Sequence, residues 1–261
     1  MLKKLFTIFS IVLLTSLCYA KDVTITIIYN NVPYDENLQI GWGFSAFIDG
    51  TEKNILFDTG GNGSLLLSNM EKLGIDPGNI DIILLSHIHG DHTGGLDSIL
   101  ERNPECTVYL PQAFPAQFKE ATSAKCREVI SVNAPAAVCE GVWSTGQLGT
   151  WIKEQSLVID SKEGLIVITG CAHPGILNIA KHAKEYFNKD IYLLIGGFHL
   201  EYTPSIKVKN IIKELKKTGV RKVAPSHCTG RGATELFRQA WGKDFMDLGC
   251  GASLKIERKP L

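Results

Sequence analysis

Three histidines and an aspartate fall within residues 87–92, in the pattern His-Ile-His-Gly-Asp-His. Neutral imidazole is a common metal ligand, and a carboxylate adds an oxygen ligand beside it. On an extended backbone alternate side chains share a face, so His87 and His89 can point to one centre. Gly90 permits a tight turn that sends Asp91 and His92 elsewhere. The spacing therefore predicts two adjacent metal positions.

The ends of predicted strands supply further candidate residues. His173, His199 and His227, like His87, each lie just past an apolar run that predicts a buried strand. Ligand sites in layered α/β proteins gather at such strand ends. His182 instead lies within a predicted helix among charged neighbours, and we interpret it as a solvated surface residue. The four strand-end histidines are therefore expected to meet at one edge of the fold.

The order of the predicted elements indicates an α/β protein. Predicted strands come early in the chain, at residues 23–29, 42–48 and 54–57. The predicted helices share apolar residues at helical spacing, and they span residues 64–73, 96–102, 112–120, Ile176–Phe187, 205–217 and 234–241. Ser64 is the expected cap of the first of these. Strands that later alternate with helices fit two packed sheets with helices on their outer faces.

The composition fits a globular protein with a substantial core. Of the 261 residues, 44% are hydrophobic and 21% are charged. The 27 basic and 27 acidic residues leave no basic field that would indicate a nucleic-acid partner. We therefore expect a single domain at residues 21–261 that acts on a small molecule, while the oligomeric state stays open.

The N-terminus has the three parts of a secretory signal peptide. Lys3 and Lys4 precede an apolar run at residues 5–17, and Tyr19-Ala20 ends in a small residue. The apolar run is short for a membrane span, although a retained anchor is the alternative. We predict that residues 1–20 are removed after Ala20, that no stable membrane span is left, and that the protein is periplasmic or secreted.

Six cysteines follow the predicted signal peptide: Cys106, Cys126, Cys139, Cys171, Cys228 and Cys250. An even number in an oxidising compartment permits disulfides, but the spacings predict no particular pairing. Cys228 is the neighbour of His227, and neighbouring residues on an extended chain face apart. We therefore expect Cys228 to have a structural role.

The His-x-His-x-Asp-His run, Asp58-Thr59-Gly60, His173 and His227 together resemble the metallo-β-lactamase superfamily. The resemblance covers about residues 23–256 and implies a four-layer αββα sandwich. It further implies that a first metal ion is held by His87, His89 and His173, and a second by Asp91, His92 and His227. Two zinc ions are expected, with iron or manganese as alternatives. An aspartate at the position of Asp58 would support the metal loop from behind.

One strand end departs from the pattern of that superfamily. Many members carry a bridging aspartate in a Thr-Gly-Asp motif, whereas this chain reads Thr169-Gly170-Cys171 with His173 two residues later. Cys171 either replaces the aspartate as a thiolate, which is a soft ligand for zinc, or is a small buried residue at a glycine turn. The extra His199 is interpreted as facing the substrate.

Three short motifs narrow the resemblance. Gly-Cys-x-His-x-Gly at 170–175, Gly-Gly-Phe-His-Leu at 196–200 and Ser-His-Cys-Thr-Gly at 226–230 resemble the subgroup with archaeal ribofuranosylaminobenzene phosphate synthase-like proteins of the pterin pathway. Because a secretory signal separates this chain from cytosolic pterin synthesis, that substrate is not carried over.

The resemblance implies a binuclear metal-dependent hydrolase that uses a metal-bound hydroxide on an ester, lactone, amide or phosphodiester bond. Metal ions lower the pKa of bound water from about 15.7 toward about 7. Asp91 would orient the hydroxide and accept its proton, and His199 would protonate the leaving group or bind a substrate anion. The alternatives are a mononuclear iron oxidoreductase of the dioxygenase kind and a non-catalytic metal-binding protein.

Overall fold

The computed structural model describes residues 22–258, so the predicted signal peptide at residues 1–20 lies outside the described residues. The strands within this range are β1 Val23–Asn30, β2 Phe44–Asp49, β3 Ile55–Phe57, β4 Ile82–Leu84, β5 Thr107–Pro111, β6 Glu128–Val132, β7 Ala136–Cys139, β8 Val142–Ser144, β9 Leu157–Ser161, β10 Gly164–Thr169, β11 Ile191–Gly197, β12 Lys222–Ser226 and β13 Ser253–Ile256. The α-helices are α1 Gly63–Lys72, α2 Gly90–Thr93, α3 Leu96–Leu100, α4 Ala116–Ser123, α5 Ile176–Phe187, α6 Ser205–Thr218 and α7 Arg231–Trp241. None of these helices is long and apolar enough to cross a membrane.

The strands form two mixed sheets. The first sheet has the order β13-β1-β2-β3-β4-β5-β6, and the second has the order β12-β11-β10-β9-β8-β7. Strands β3 to β6 run parallel to one another, and so do β10, β11 and β12. The remaining neighbours are antiparallel hairpins or edge pairs, including β1 with β13. Each sheet therefore has a parallel part whose strands end at one edge.

Three apolar layers hold the sheets and helices together. The inner faces of the two sheets bury β-branched and aromatic side chains such as Phe44 and Ile166 against each other. Helices α1 and α3 cover the outer face of the first sheet, where Met70 is fully buried. Helices α5, α6 and α7 cover the second sheet, and Leu215 and Phe237 have no exposed surface there. The arrangement is a four-layer αββα sandwich.

Most predicted elements are present, and their ends differ for local reasons. Helix α1 is capped by the Asn62 side chain, which accepts a hydrogen bond from the Leu65 backbone amide, so the prediction of Ser64 as the cap was wrong. Helix α4 begins after Pro115 and does not include it, because a proline is tolerated only in the first turn of a helix. Helix α6 ends at Gly219 in a left-handed conformation, as predicted.

The registers of the parallel strands bring the candidate site residues together. Phe57 pairs with Leu84, so Asp58 and Ser86 leave the first sheet side by side. In the second sheet Thr169 pairs with Gly196, and Gly197 pairs with Ser226. The three connections that follow β10, β11 and β12 therefore start at one edge and face the loop that follows β4.

Candidate metal centre

The first group of candidate ligands joins the two sheets. His87 and His89 follow β4, and the His87 Nε2 atom lies 3.1 Å from His89 Nδ1. His173 comes from the turn after β10, and its ring centroid lies 4.7 Å from that of His87 and 4.8 Å from that of His89. One ligand atom from each of the three lies within 4.8 Å of the others. Three imidazoles can therefore reach one ion.

The second group consists of Asp91, His92, Cys171 and His227. The His92 Nε2 atom lies 3.1 Å from the Cys171 sulfur, and the His227 Nε2 atom lies 3.3 Å from Asp91 Oδ2. Asp91 and His92 sit on the single turn α2, which Gly90 begins. This group again takes ligands from both sheets, and it is adjacent to the first because the rings of His87 and His92 are 4.3 Å apart.

Asp58 orients the first sheet's ligands from behind. Its Oδ1 accepts a hydrogen bond from the Ser86 backbone amide at 2.6 Å, and its Oδ2 accepts one from the Ser86 hydroxyl at 2.7 Å. Since the hydroxyl proton goes to Asp58, the Ser86 oxygen accepts from His87 Nδ1 at 2.9 Å. Asp58 also accepts from His92 Nδ1 at 2.7 Å. Both imidazoles therefore present an unprotonated Nε2 to the centre.

The His227 ring is fixed in the same way. Its Nδ1 donates to the Asn31 side-chain oxygen at 2.7 Å, so Nε2 carries the lone pair. That lone pair faces the Asp91 carboxylate without a hydrogen bond, and the buried Nε2 of His173 likewise has no partner among residues 22–258. Buried polar atoms are rarely left unpaired. A cation at each ligand group would satisfy the unpaired atom in that group, and the nitrogen, oxygen and sulfur donors are those that suit a divalent metal such as zinc.

Protonation of the histidines also fits a metal site. Burial and the neighbouring histidines hold the pKa of His87 well below its ordinary value, and burial with His199 and His89 lowers the pKa of His173 to about 4. Metal ligands must be unprotonated, so these imidazoles are ready to bind near neutral pH. Burial disfavours the charged form of His92, but Asp58 and Asp91 outweigh it and raise the pKa of that ring.

Asp91 is held ionised. Burial alone would raise its pKa, but the adjacent imidazoles of His227 and His92 lower it well below the usual range of a carboxyl. About a fifth of its side chain is exposed, at 21%. Asp91 is therefore a good ligand or hydrogen-bond acceptor, while its low pKa makes it a weak base. The predicted role as proton acceptor is the less favoured one.

Glu154 is a supporting residue that the sequence did not reveal. Its buried carboxylate accepts hydrogen bonds from the backbone amides of Cys171, Ala172 and His173 at 2.8 to 3.0 Å, and from the Thr169 hydroxyl at 2.8 Å. Burial raises its pKa, and these hydrogen bonds act in the opposite direction. Glu154 holds the backbone of the turn that carries two candidate ligands.

The backbone around the centre is strained. Five non-glycine residues among residues 22–258 have positive φ, and four of them are Asp58, Ala172, His199 and His227. The left-handed region costs a non-glycine residue on the order of 1–3 kcal/mol and persists where the surroundings enforce it, often at functional sites. The fifth, Asn188, ends helix α5. Strain is thus concentrated at the candidate ligands and their supports.

The structure places every predicted site residue at this centre and corrects two other assignments. Residues His227–Thr229 form a 3₁₀ helix in place of the extended backbone on which the interpretation of Cys228 rested, and the Cys228 sulfur lies 3.3 Å from that of Cys171. His182 is half-buried, and its Nε2 lies 3.1 Å from the Thr145 carbonyl oxygen, so it is not a solvated surface residue.

Comparison with known proteins identifies the family. A model of the metallo-β-lactamase superfamily matches residues 43–128. The chain is also 32% identical over 254 residues to the 7,8-dihydropterin-6-methyl-4-(β-D-ribofuranosyl)-aminobenzene-5'-phosphate synthase of Methanocaldococcus jannaschii, and the match covers 80% of this chain and 86% of that protein. The chain belongs to the metallo-β-lactamase superfamily. The predicted resemblance to the subgroup with this archaeal synthase is confirmed.

Solved structures of the superfamily agree with the fold. A metal-dependent hydrolase of the β-lactamase superfamily has a TM-score of 0.77 and 28% identity, over 90% of this chain and 99% of that one. The metallo-β-lactamase fold protein YhfI from Bacillus subtilis has a TM-score of 0.63 and 16% identity, over 89% and 99% of the two chains. The αββα sandwich predicted from the sequence is confirmed, and the superfamily indicates an enzyme-like protein with a divalent metal site.

Proposed function

We propose that this metallo-β-lactamase superfamily protein is a binuclear metal-dependent hydrolase of small molecules, acting on an ester, lactone, amide or phosphodiester bond. The observation that carries the proposal is the pair of adjacent ligand groups, three imidazoles beside a carboxylate, two imidazoles and a thiol. The 28% identity to a solved metal-dependent hydrolase supports the same reaction class.

Each of the two groups would hold one ion. His87, His89 and His173 would hold the first ion, and Asp91, His92 and His227, with Cys171 beside them, the second. Bound divalent ions, with zinc the best fit to these donors, would lower the pKa of water toward neutrality and polarise the oxygen of the scissile bond. The buried supports Asp58 and Glu154 keep these ligands in place, and so exclude the reorganisation that a looser site would need.

We propose that His199 and Asp91 act on the substrate. The ring of His199 lies 4.5 Å from that of His173 and is exposed, so it stands at the open side of the centre. A hydrogen bond that His199 donates to the Cys228 sulfur raises the pKa of His199, which favours a protonated ring able to donate to a leaving group or hold an anion. Asp91, held ionised, would accept a hydrogen bond from the attacking water and orient it.

A groove beside His227 gives substrate a place to bind. Its volume is about 540 Å³, and its lining includes Trp42, His227 and Arg231. The half-exposed Trp42 ring lies 4.9 Å from His227 and offers an apolar face, while the Arg231 side chain offers a positive charge. Glu201 and Glu235 also line the groove, so its walls carry both signs of charge. An organic substrate of modest size would fit there.

The test is metal-dependent turnover on a panel of esters, lactones, amides and phosphodiesters. We expect activity in the metal-loaded parent, loss on chelation, and loss in His89→Ala, with activity retained in His182→Ala. Absence of turnover across the panel in protein that holds its metal would favour a non-catalytic metal-binding protein. Iron in protein purified without added metal, together with oxygen consumption, would favour the dioxygenase alternative.

A synthase is the second candidate, because the relative with 32% identity is named as one. In hydrolysis water attacks the scissile bond, whereas in group transfer a second organic substrate does so. In isotopically labelled water a hydrolase incorporates label into its product, whereas a transferase joins two organic substrates without it. The two candidates are therefore separated by mass spectrometry of the product.

We also propose that residues 1–20 act as a signal peptide and that the protein works in the periplasm or outside the cell. The apolar run at 5–17 and the small residue Ala20 support the proposal. Mass spectrometry of protein recovered from its host should find Lys21 at the N-terminus. A cytoplasmic chain that starts at Met1 would contradict it.

A further inference from the structure

Two thiols and an imidazole form a third cluster beside the two ligand groups. The sulfur atoms of Cys171 and Cys228 lie 3.3 Å apart, and one ligand atom each from Cys171, Cys228 and His199 lies within 4.8 Å of the others. Both thiols are at least 95% buried, whereas His199 is exposed. The cluster shares Cys171 with the second ligand group, and Cys228 and His199 belong to neither group.

Gly197 leaves open the space in which these thiols meet. Cys171 follows β10 and Cys228 follows β12, so strand β11 with Gly196 and Gly197 lies between them. A Cβ atom on Gly197 would lie 2.6 Å from the Cys228 sulfur and 2.4 Å from the Gly170 carbonyl oxygen, which is closer than real contacts. Any larger residue at Gly197 would therefore push the thiols apart.

The backbone brings the third residue to the same place. His199 and the neighbours of both thiols, Ala172 and His227, all have positive φ. Extended backbone at these points would point the side chains elsewhere, as the sequence-based expectation for Cys228 assumed. Strain of this kind costs stability, and it is found mainly at functional sites, where the surrounding structure enforces it. A hydrogen-bonded pair of thiols alone would not need an exposed imidazole beside it.

We propose that Cys171, Cys228 and His199 form a third metal site that takes a thiophilic divalent ion such as Zn²⁺ or Cd²⁺. Thiolates are soft ligands that select such ions over Mg²⁺, Ca²⁺ or Mn²⁺. Three protein ligands leave the fourth tetrahedral position open, and the exposed His199 ring gives an ion a path from solvent. This site would share Cys171 with the second ligand group. Because a ligating imidazole must be unprotonated, His199 would not act as a proton donor while the third site is filled.

The test titrates Cd²⁺ into the zinc-loaded protein under reducing conditions. Bound cadmium and zinc per chain are measured after desalting, together with the near-ultraviolet absorption of cadmium–thiolate bonds. The parent should take up one further equivalent of cadmium without releasing two equivalents of zinc. Cys228→Ser should lose this equivalent, with affinity reduced at least tenfold, and retain zinc at the first site. His199→Ala should weaken cadmium binding less, because one of three ligands is lost but both sulfurs stay.

Cys250→Ser is the matched control. Cys250 is also buried and free, but its sulfur contacts the Asn69 side-chain nitrogen at 3.4 Å and lies outside the three clusters. This variant should bind cadmium as the parent does. Cys228→Ala, with a thermal melt of each variant, separates loss of a ligand from loss of the fold, because both Cys228 variants should keep a cooperative transition.

Three results would overturn the proposal. The parent could take up no cadmium beyond exchange for zinc, Cys228→Ser could bind it as tightly as the parent, or thiol titration could show Cys171 and Cys228 joined as a disulfide under the reducing conditions. None of these results touches the hydrolytic function, which His89→Ala tests on its own. The third site and the proposed reaction can therefore fail separately.

Discussion

The two segments that carry the candidate ligands are built on different principles. The first ligand loop, residues 86–92, follows β4 and supplies four side chains from seven residues. The second ligand turn, residues 170–173, follows β10 and supplies Cys171 and His173. Each is supported by one buried carboxylate from another part of its own sheet, Asp58 for the loop and Glu154 for the turn.

The difference lies in what each carboxylate holds. Asp58 accepts one backbone hydrogen bond, from the Ser86 amide, but it also bonds to the His92 ring and, through the Ser86 hydroxyl, to the His87 ring, so it fixes the side chains themselves. Glu154 bonds to three consecutive backbone amides and no ligand side chain. A metal site can thus be positioned either through its rings or through its backbone.

The largest effect should come from removing one imidazole from either segment. His89→Ala and His173→Ala should each lose the first ion, because both rings belong to one group of three ligands. Metal content per chain and the melting temperature are the measurements, since a bound ion adds to folding stability. His182→Ala is the control, a half-buried histidine that bonds only to a carbonyl. Full metal content in His173→Ala would show that the turn supplies no ligand to the first ion.

Exchanging each carboxylate for its amide should have the next largest effect. Asp58→Asn and Glu154→Gln should each weaken metal binding by about 10–100-fold, as is typical for residues that support ligands. Asp58→Asn should act through His87 and His92, whereas Glu154→Gln should also lower the unfolding free energy, by about 1–3 kcal/mol for an amide left unpaired. Competition with a chelator and denaturant unfolding measure the two effects. Glu140→Gln, at an exposed residue, is the control. If all three variants bound metal and unfolded alike, neither buried carboxylate would support the site.

These supports also show how far the sequence could predict the site. The role of Asp58 could be predicted because Asp-Thr-Gly ends a strand in a motif of the superfamily. The role of Glu154 could not, because its partners are backbone amides 17 to 19 residues away, and backbone amides leave no signature in sequence. The contact of Cys228 with Cys171 was not predicted, because the backbone there forms a 3₁₀ helix and not the extended chain that was assumed. The strands and long helices followed from apolar periodicity, whereas tertiary contacts decided these details.

Cys171→Ser should affect one ion only. Its sulfur belongs to the second group, so the serine variant should keep the first ion and bind the second more weakly. X-ray absorption should show a metal–sulfur distance of about 2.3 Å in the parent and lose that scatterer in the variant. A parent spectrum without sulfur would make Cys171 a buried neighbour of the site and leave His173 as the one ligand of the turn.

The smallest effect concerns acid stability without metal. Because the pKa of His173 is lowered to about 4 in the fold from about 6.5 in the unfolded chain, its neutral form is favoured on folding. It therefore contributes stability above pH 6.5 that is lost as the pH falls toward 4. In the presence of a chelator, His173→Asn should lose less stability than the parent across this interval. Parallel curves from denaturant unfolding at several pH values would contradict this account.

Each ligand group takes side chains from both sheets, so the stability of the sandwich should depend on bound metal. An ion in the first group would tie the loop after β4 to the turn after β10, and an ion in the second group would also reach the connection after β12. Either ion would thus act as a cross-link between the halves of the sandwich. By mass action such a ligand adds about 2.7 kcal/mol to stability when its free concentration is about a hundred times its dissociation constant. The lifetime of the folded chain would then follow the metal supply of the compartment it occupies.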